Sequence, residues 1–528
     1  MWGSNARDAH PIFFHHVLKG IRRGARLYVV DPRRTPSAEW AHLWAGLDVG
    51  TDIALANAMG REIIHAGLAN MAFVRRATEG FDAYRASVES CTLDWAEGVT
   101  GVPADVIRQL AHDYARAERA ELCWTLGITE HHNAVDNVFA LINLALLTGH
   151  VGRYGSGLNP LRGQNNVQGG GDMGALPNKL PGFQDIETDD AARARFEAAW
   201  NTVIRPQRGM HLSQMFDAME AGTLQTLYVI GENPAQSEAD SRRTVKLLRG
   251  LDHLVVQDLF LTRTAELADV VLPGTASWCE SEGTVTSSER RVQRVRKALE
   301  PPEGTRDDLW ILSELAERLG HGWGHPAAEE IWDECRGLSP MHRGMSYARL
   351  EAENGIQWPC PDESHPGTPF LHARLWEDPR TGPPAPFQPV MHEGPLDALT
   401  DDFPLRLTTG RRLESFNTGV MSTRYRPPTA PGAQLYLAPE DMALHDLQDG
   451  DRVRVVSRRG AVETPVRSDA TLRPGLAFMT LHFPDQVDTN TLTPDFWDAK
   501  SGTAEFKASA VRLEPIRAGR TAVTEVPS

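Results

Sequence analysis

The run Arg162-Gly163-Gln164-Asn165-Asn166-Val167-Gln168-Gly169, continued by Gly170-Gly171-Asp172-Met173-Gly174-Ala175-Leu176-Pro177, gathers one cation, four side-chain amides and five glycines. Glycine lets the backbone approach a ligand closely, and amides both donate and accept hydrogen bonds. Such a stretch suits a small polar ligand, either a heterocycle or an oxyanion. A glycine-rich loop that only turns the chain has no use for four amides within five residues. Arg162 adds a fixed charge on a planar fork of donors, the geometry that matches a carboxylate.

A chain of 528 residues is too long for one hydrophobic core, so size alone predicts several domains. At 41% hydrophobic and 23% charged residues it has the composition of a globular protein. The net charge of −16 excludes a basic nucleic-acid surface and leaves room for a small anion at a local arginine. No run of about 18 apolar residues occurs, so no membrane insertion is expected. Residues 1–30 hold no signal-peptide core, which points to the cytoplasm. Cys91, Cys123, Cys279, Cys335 and Cys360 are scattered with no C-x-x-C spacing, and each reads as a small hydrophobe with a free thiol.

These residues need a frame, and the first part of the chain alternates strands with helices. Residues 25–30 read as a buried parallel strand ending at Asp31. Asp52, Pro103 and Asn133 are placed to open helices, the last of them stopped by Gly149. Residues 121–125 read as another strand. The theme repeats after the Arg162 run, with strands at 224–230, 253–257 (ending in Asp258) and 269–272. Strand–helix alternation predicts an α/β fold with two Rossmann-like, doubly wound parallel-sheet domains, whose ligands sit at the carboxyl ends of the strands. These domains are expected over residues 1–160 and 161–380. Seven prolines between 379 and 404 predict a linker over about 381–404. Beyond it, short strands at 405–409, 452–457, 461–466, 476–480 and 510–513, with a hairpin loop at Arg458-Arg459-Gly460, predict a C-terminal β-barrel over 405–518.

Several short motifs fall in a fixed order around the Arg162 run. Gly3-Ser4-Asn5 with Asp8 and His10-Pro11, Asp31-Pro32-Arg33-Arg34, Gly50-Thr51-Asp52 and Gly127-Ile128-Thr129-Glu130 precede it. Gly231-Glu232-Asn233-Pro234 with Ser237, Glu282-Gly283-Thr284 and Asp308 follow. Thr408-Thr409-Gly410-Arg411, Ser415, Asn417-Thr418-Gly419, Met421, Asn490-Thr491-Leu492-Thr493 and Glu505-Phe506-Lys507 complete the series. From Gly3 to Pro515 the chain resembles the alpha subunits of molybdenum- or tungsten-dependent formate dehydrogenases. These are enzymes of the DMSO reductase superfamily that carry a bis(molybdopterin guanine dinucleotide) cofactor.

The resemblance implies a barrel of the double-psi type and a set of cofactor contacts. Asn5, Asp8, Asp31, Arg33 and Asp52 match the first guanine-dinucleotide site, and Gly127 with Glu130 matches the turn that touches the pterin, Glu130 standing where the family has an amide. Gln164 belongs to the Arg162 loop, while Asn233, Ser237, Asp258 and Asp308 match the second dinucleotide site. Arg411, Ser415 and Asn417 match the loop that closes over the pterins, and Asn490 and Lys507 the last contacts. A carboxylate accepts two N–H bonds from guanine, a pattern that adenine does not offer. Taken alone, Asp31, Asp52 or Asp308 reads equally well as a helix cap or a turn. Arg162 matches the catalytic arginine that holds formate while it is oxidised to carbon dioxide, the electrons leaving through the pterin and a [4Fe-4S] cluster toward an iron–sulfur or diaphorase-type partner subunit.

The family also has a hydrophobic strand before Gly3-Ser4-Asn5. Upstream of that strand lie a cysteine or selenocysteine metal ligand, a neighbouring histidine and a four-cysteine cluster domain. None of these occurs in this sequence, so no metal ligand and no cluster cysteine is assigned. The natural gene is expected to extend upstream, and the parallel sheet is expected to carry an unpaired edge and an unfilled core position. Two alternatives stay open: a non-catalytic or decayed pterin-dinucleotide-binding fragment, and another oxidoreductase of the superfamily such as a nitrate reductase.

Overall fold

A computed structural model describes residues 1–277, 279–413, 417 and 432–516. The first lobe is built on a parallel sheet. Tyr28–Val30 pairs with Leu43–Ala45, and Glu121–Trp124 pairs with Gly157–Pro160. Trp2 joins the two halves by bridging Val30 on one side and Trp124 on the other. Its N–H donates to Cys123 O at 2.9 Å, and the Gly3 N–H donates to Val30 O at 2.8 Å. The position between the two inner strands is therefore occupied at its carboxyl end. Toward the other end a cavity of about 630 Å³ lies among Phe13, Val17, Ile21, Leu110 and Leu122.

Helix Asp52–His65 is buried on almost every side through Ile53, Leu55, Met59 and Ile63. It packs against Ala104–Arg116 and Ala134–Thr148. Thr51 rather than Asp52 is its cap residue, so Asp52 is the first helical residue and sits where a carboxylate complements the helix dipole. Helix Ala134–Thr148 ends at Gly149, whose φ of +74° is the left-handed conformation that glycine adopts without strain.

The proline-rich stretch expected as a linker is a strap packed on this lobe. Phe387 and Val390 are buried in its core, and Phe387 stacks on Tyr84 at 5.0 Å. Asn143 and Gln388 exchange two hydrogen bonds, Nδ2 to O at 2.7 Å and N to Oδ1 at 3.0 Å. An asparagine side chain thus does for the strap what a sheet partner does for a strand, satisfying both backbone groups.

In the second lobe Val270–Pro273, His253–Asp258 and Thr226–Ile230 form a parallel sheet in that order. Phe216, Leu248, Leu254 and Val256 fill its core. An antiparallel unit of Gly283–Thr286, Arg291–Val295 and Ile356–Gln357 packs around Trp332, Tyr347 and Trp358.

The C-terminal region is a closed six-stranded barrel with the order Leu405–Thr409, Leu476–Met479, Leu435–Leu437, Ala461–Ser468, Arg452–Ser457, Ser509–Pro515. Closure removes every free sheet edge. Leu435–Leu437 was not expected from sequence. It is three residues long and buried at all three, so it has no polar–apolar alternation to read. The hairpin at Arg458-Arg459-Gly460 forms as expected, closed by the Ser457 N–H donating to Gly460 O at 2.8 Å. Buried Asp397 at the end of the strap ties down this hairpin through Arg458 and Arg459, and accepts from the Ala510 N–H at 2.8 Å.

Candidate active site

A cleft of about 570 Å³ opens at the carboxyl ends of the first sheet, and all three regions contribute to its walls. Its floor depends on two glycines. A Cβ on Gly3, which has φ +54°, would lie 2.7 Å from Gly127 C, and one on Gly127 would lie 2.6 Å from Gly3 Cα. The two backbones therefore touch, and Thr125 Oγ1 fixes the contact by donating to Gly3 O at 2.7 Å.

Arg162 stands on the cleft wall with Gly163 and Gln164. Its backbone is pinned from both sides. The N–H donates to Ser288 Oγ at 3.2 Å, and the carbonyl lies 2.8 Å from His10 Nε2. A carbonyl only accepts, so His10 carries its proton on Nε2, and Nδ1 has no partner among the described residues. Burial holds His10 below the usual histidine value, which keeps the ring neutral near pH 7. The Arg162 side chain is held by one bond, Nε to Gln168 Oε1 at 3.1 Å. Neither terminal nitrogen of its guanidinium has a partner among the described residues. Asn166 turns the loop in the left-handed conformation and accepts from the Thr286 N–H at 2.9 Å, clamping it to the antiparallel unit. A Cβ at 169 would lie 2.0 Å from Asn166 Oδ1 and would push that side chain off the Thr286 N–H.

The predicted contacts of the first dinucleotide site converge. Asn5, Asp31, Arg33 and Asp52 line the cleft, and Asp8 stands behind Asn5, accepting its Nδ2 at 2.8 Å. Asp31 Oδ1 accepts from the Arg33 N–H at 3.0 Å, so it does shape a turn, but Oδ2 has no hydrogen bond among the described residues. Burial, with a further push from Asp52, raises the Asp31 carboxyl to about 6 against the pull of Arg33. The Arg33 guanidinium carbon lies over the Phe478 ring, 3.8 Å from its centre, so the barrel fixes a cation belonging to the first lobe. Asp52 accepts from Trp2 Nε1 at 2.7 Å.

Gly127, Glu130 and Lys507 also line the cleft. Glu130 is paired with Lys507 at 2.6 Å, so where the family has a neutral amide this chain has a neutralised ion pair. Behind it His131 and Glu505, 3% and 2% exposed, approach to 3.4 Å. His131 Nε2 meets Gly127 O at 3.1 Å, so both ring nitrogens face acceptors, a pattern that only the imidazolium satisfies. Burial works against the charged ring, yet Glu505 and Asp52 outweigh it and raise His131 above its ordinary value. Burial likewise opposes the Glu505 charge, but His131, His132 and the Lys507 N–H hold its carboxyl well below the usual range.

The second lobe supplies Ser237 to the cleft, with its hydroxyl shared between Glu232 and Glu238. Burial raises Glu238 to about 7, and the Glu232 charge adds to the push. Asn233 does not reach the cleft wall. Its Oδ1 accepts from Thr264 N and Oγ1, knitting the lobe together. Asp258, at the end of the middle strand of the second sheet, and Asp308, the first residue of helix Asp308–Arg318, sit apart from the cleft. Asp258 accepts from the N–H groups of Leu259 and Phe260, and Asp308 accepts from Gln257 Nε2 at 2.6 Å. Asn490 clamps the barrel to the second lobe by donating to Gln236 O and Ser237 O. Arg411 and Asn417 line the cleft, while Ser415, Thr418, Gly419 and Met421 lie outside the described residues.

Sequence reasoning passed over Ser288, Phe478, Glu238 and His131, and named His10 and Glu505 only as members of motifs, with no role of their own. For His131 a signal existed, since it adjoins Gly127-Ile128-Thr129-Glu130, and its partner Glu505 opens the motif Glu505-Phe506-Lys507. For Ser288 and Phe478 none did, because their role is created by packing between distant segments.

The family described as molybdopterin oxidoreductase matches residues 1–318, and the molydopterin dinucleotide binding domain matches residues 405–510. The F420-dependent formate dehydrogenase subunit alpha of Methanocaldococcus jannaschii is 39% identical over 97% of this chain and 76% of its own length. Formate dehydrogenase H of Escherichia coli is 38% identical over 99% of this chain and 73% of its own. Among solved structures, the acetylene hydratase of Pelobacter acetylenicus superposes with a TM-score of 0.70 at 20% identity, over 96% of this chain and 76% of that one, a likeness of fold. The chain belongs to the molybdopterin oxidoreductases and, within them, to the formate dehydrogenase alpha subunits.

Proposed function

We propose that this chain binds formate at Arg162 and oxidises it to carbon dioxide, a proton and two electrons. The observation that carries this reading is the state of Arg162, a cation on the cleft wall whose Nε is tied back and whose two terminal nitrogens have no protein partner among the described residues. That is the fork a one-carbon carboxylate needs. Arg411 packs over Gly163, with its Nη1 3.0 Å from the place of a Gly163 Cβ, and narrows the same wall.

The residues present fit a bis(molybdopterin guanine dinucleotide) cofactor with molybdenum or tungsten. Asp31 offers an acceptor oxygen at a strand end with no partner among the described residues, suited to guanine N–H groups; Arg33 and Arg411 offer cations to phosphates, and the Lys507–Glu130 pair offers polar contacts to the pterin. In the second lobe Asp258 repeats the strand-end carboxylate, and Asp308 adds one at the start of helix Asp308–Arg318. The bound group supplies the two-electron redox chemistry. The protein's share is to hold the formate carboxylate at Arg162, whose backbone carbonyl is pinned to the wall by His10 Nε2. The electrons pass to an electron-transfer subunit carrying iron–sulfur clusters or a diaphorase activity. We place the reaction in the cytoplasm, where the five free thiols stay reduced. Among the described residues no helix is long and apolar enough to cross a membrane.

The test is formate-dependent dye reduction by the cofactor-loaded protein and its Arg162→Lys variant. Lysine keeps the charge but loses both the fork and the Gln168 bond, so kcat/KM should fall roughly a hundredfold or more with guanine and metal content unchanged. Loss of cofactor together with activity would make Arg162 a cofactor-binding residue instead.

A further inference from the structure

Below Arg162 a chain of hydrogen bonds runs inward to a carboxylate that touches neither the cleft nor solvent. Arg162 Nε donates to Gln168 Oε1 at 3.1 Å, and Gln168 Nε2 donates to Asp172 Oδ1 at 2.9 Å. Trp358 Nε1 donates to Asp172 Oδ2 at 2.9 Å. Asp172 is fully buried, as is His342, whose Nε2 lies 3.9 Å from Asp172 Oδ2 and whose Nδ1 is held 2.7 Å from Ser339 Oγ.

The direction of this chain is not a free choice. A glutamine amide has an accepting face and a donating face, and its neighbours decide which way it turns. An aspartate carboxylate accepts at both oxygens, so both Trp358 and Gln168 must donate to it. Gln168 then has only its oxygen left to offer Arg162, whose guanidinium only donates.

We propose that Asp172 is a positioning residue for Arg162. Its buried carboxylate fixes the polarity of the Gln168 amide, and the amide in turn holds the guanidinium with its two terminal nitrogens turned to the substrate anion. This rests on the reading of Arg162 as the formate-binding group and deepens it. The catalytic arginine is aimed by a residue two bonds away that makes no contact with the cleft.

Asp172→Asn replaces two acceptors by one acceptor and one donor. With Trp358 keeping the oxygen, the introduced amide nitrogen meets Gln168, which turns over and presents its NH2 to the Nε–H of Arg162, donor against donor. Losing this charge-assisted bond should raise the formate KM roughly ten- to a hundredfold, with the guanine content of the loaded protein unchanged. Adding Gln168→Glu should restore the order, because the introduced carboxylate accepts both from the new amide at position 172 and from Arg162, and KM should return to within about threefold of wild type.

A second readout needs no turnover. Labelling of Arg162 by an arginine-directed dicarbonyl reagent is followed by peptide mass mapping, with and without formate. Labelling should be faster in Asp172→Asn, with weaker formate protection, and both should recover in the double variant. If Asp172→Asn fails to fold, Gln168→Leu breaks the same chain at its middle and should give the same increase in KM and labelling. Wild-type KM and labelling in Asp172→Asn or Gln168→Leu, or a double variant no better than the single, would overturn the proposal. If formate neither protects nor reacts in wild type while formate-free labelling follows the pattern above, the substrate reading fails and the positioning role stands.

Discussion

Glu505→Gln should lower the stability of the folded chain by about 3–5 kcal/mol near pH 5.5, the range for breaking a buried ion pair. The structure gives the parts of that figure. The carboxylate faces His131 Nδ1 at 3.4 Å and accepts two backbone N–H bonds, from His132 at 3.0 Å and from Lys507 at 2.9 Å. An amide keeps one of those acceptors and turns an NH2 toward the other, which costs about 1–3 kcal/mol for the donor left unsatisfied. The charge-assisted bond to His131 accounts for about 1.5–3 kcal/mol more. The pH dependence has a definite sign. His131 is raised in the folded state, so its contribution is complete below its unfolded value of about 6.5 and fades as pH rises through the folded one. Glu505 is lowered, so its contribution is present above about 4.3 and is lost only as pH falls through its depressed value. The gap between wild type and variant is therefore widest from about pH 4.5 to 6.5 and narrows toward pH 9. Urea unfolding of both proteins at pH 5.5 and pH 9 measures it. Equal gaps at the two pH values, or a gap below about 1 kcal/mol at pH 5.5, would refute the charged His131–Glu505 pair.

Other expectations concern the cofactor walls. Asp31→Ala and Asp308→Ala should each weaken retention of guanine dinucleotide, by about 1–3 kcal/mol per lost acceptor, measured as GMP released on acid hydrolysis; two guanines per chain retained in both variants would make these carboxylates a turn and a helix residue only. Because the Asp31 carboxyl is raised to about 6, its acceptor is lost as pH falls through that value, so wild-type retention should weaken between pH 7 and pH 5 and the Asp31→Asn variant should show a flatter profile. Gly127→Ala places a Cβ 2.6 Å from Gly3 Cα and should cost about 1–3 kcal/mol together with cofactor content, read as a lower melting temperature and lower bound guanine. An unchanged melting temperature would mean that the contact between the two backbones yields easily.

What the sequence made legible was local, and what it hid was made by distant contacts. Residues 25–30 and 224–230 announced the strands that form at Tyr28–Val30 and Thr226–Ile230, because each is a short, mostly apolar run closed by polar turn residues. Asp31 and Asp258 were readable as residues at strand ends for the same reason. Asn233 and Asn490 were readable as motif members, but their side chains turn to Thr264 and to the Gln236 and Ser237 carbonyls, since a buried amide takes whatever partners the fold provides. The strap illustrates the same limit. Its prolines limit regular structure to the two-residue strand Ala385–Pro386 paired with Thr78–Glu79, and Phe387 and Val390 are what betray its burial.

The charges of the cleft wall explain how an acidic protein can draw in a small anion. Glu130, Glu232 and Glu238 all face the cleft, and three unscreened carboxylates there would repel formate. The fold removes most of that field. Glu130 is cancelled by Lys507, and Glu238, raised to about 7 by burial and by Glu232, is largely protonated below that pH. Asp31 in turn gives back charge only above about 6. Arg162, whose terminal nitrogens have no partner among the described residues, and Arg411, beside Gly163, then dominate the wall where the substrate must bind. The net charge of the chain sets its long-range field, but the few ångströms around Arg162 are set by which carboxylates the fold has paired, buried or protonated.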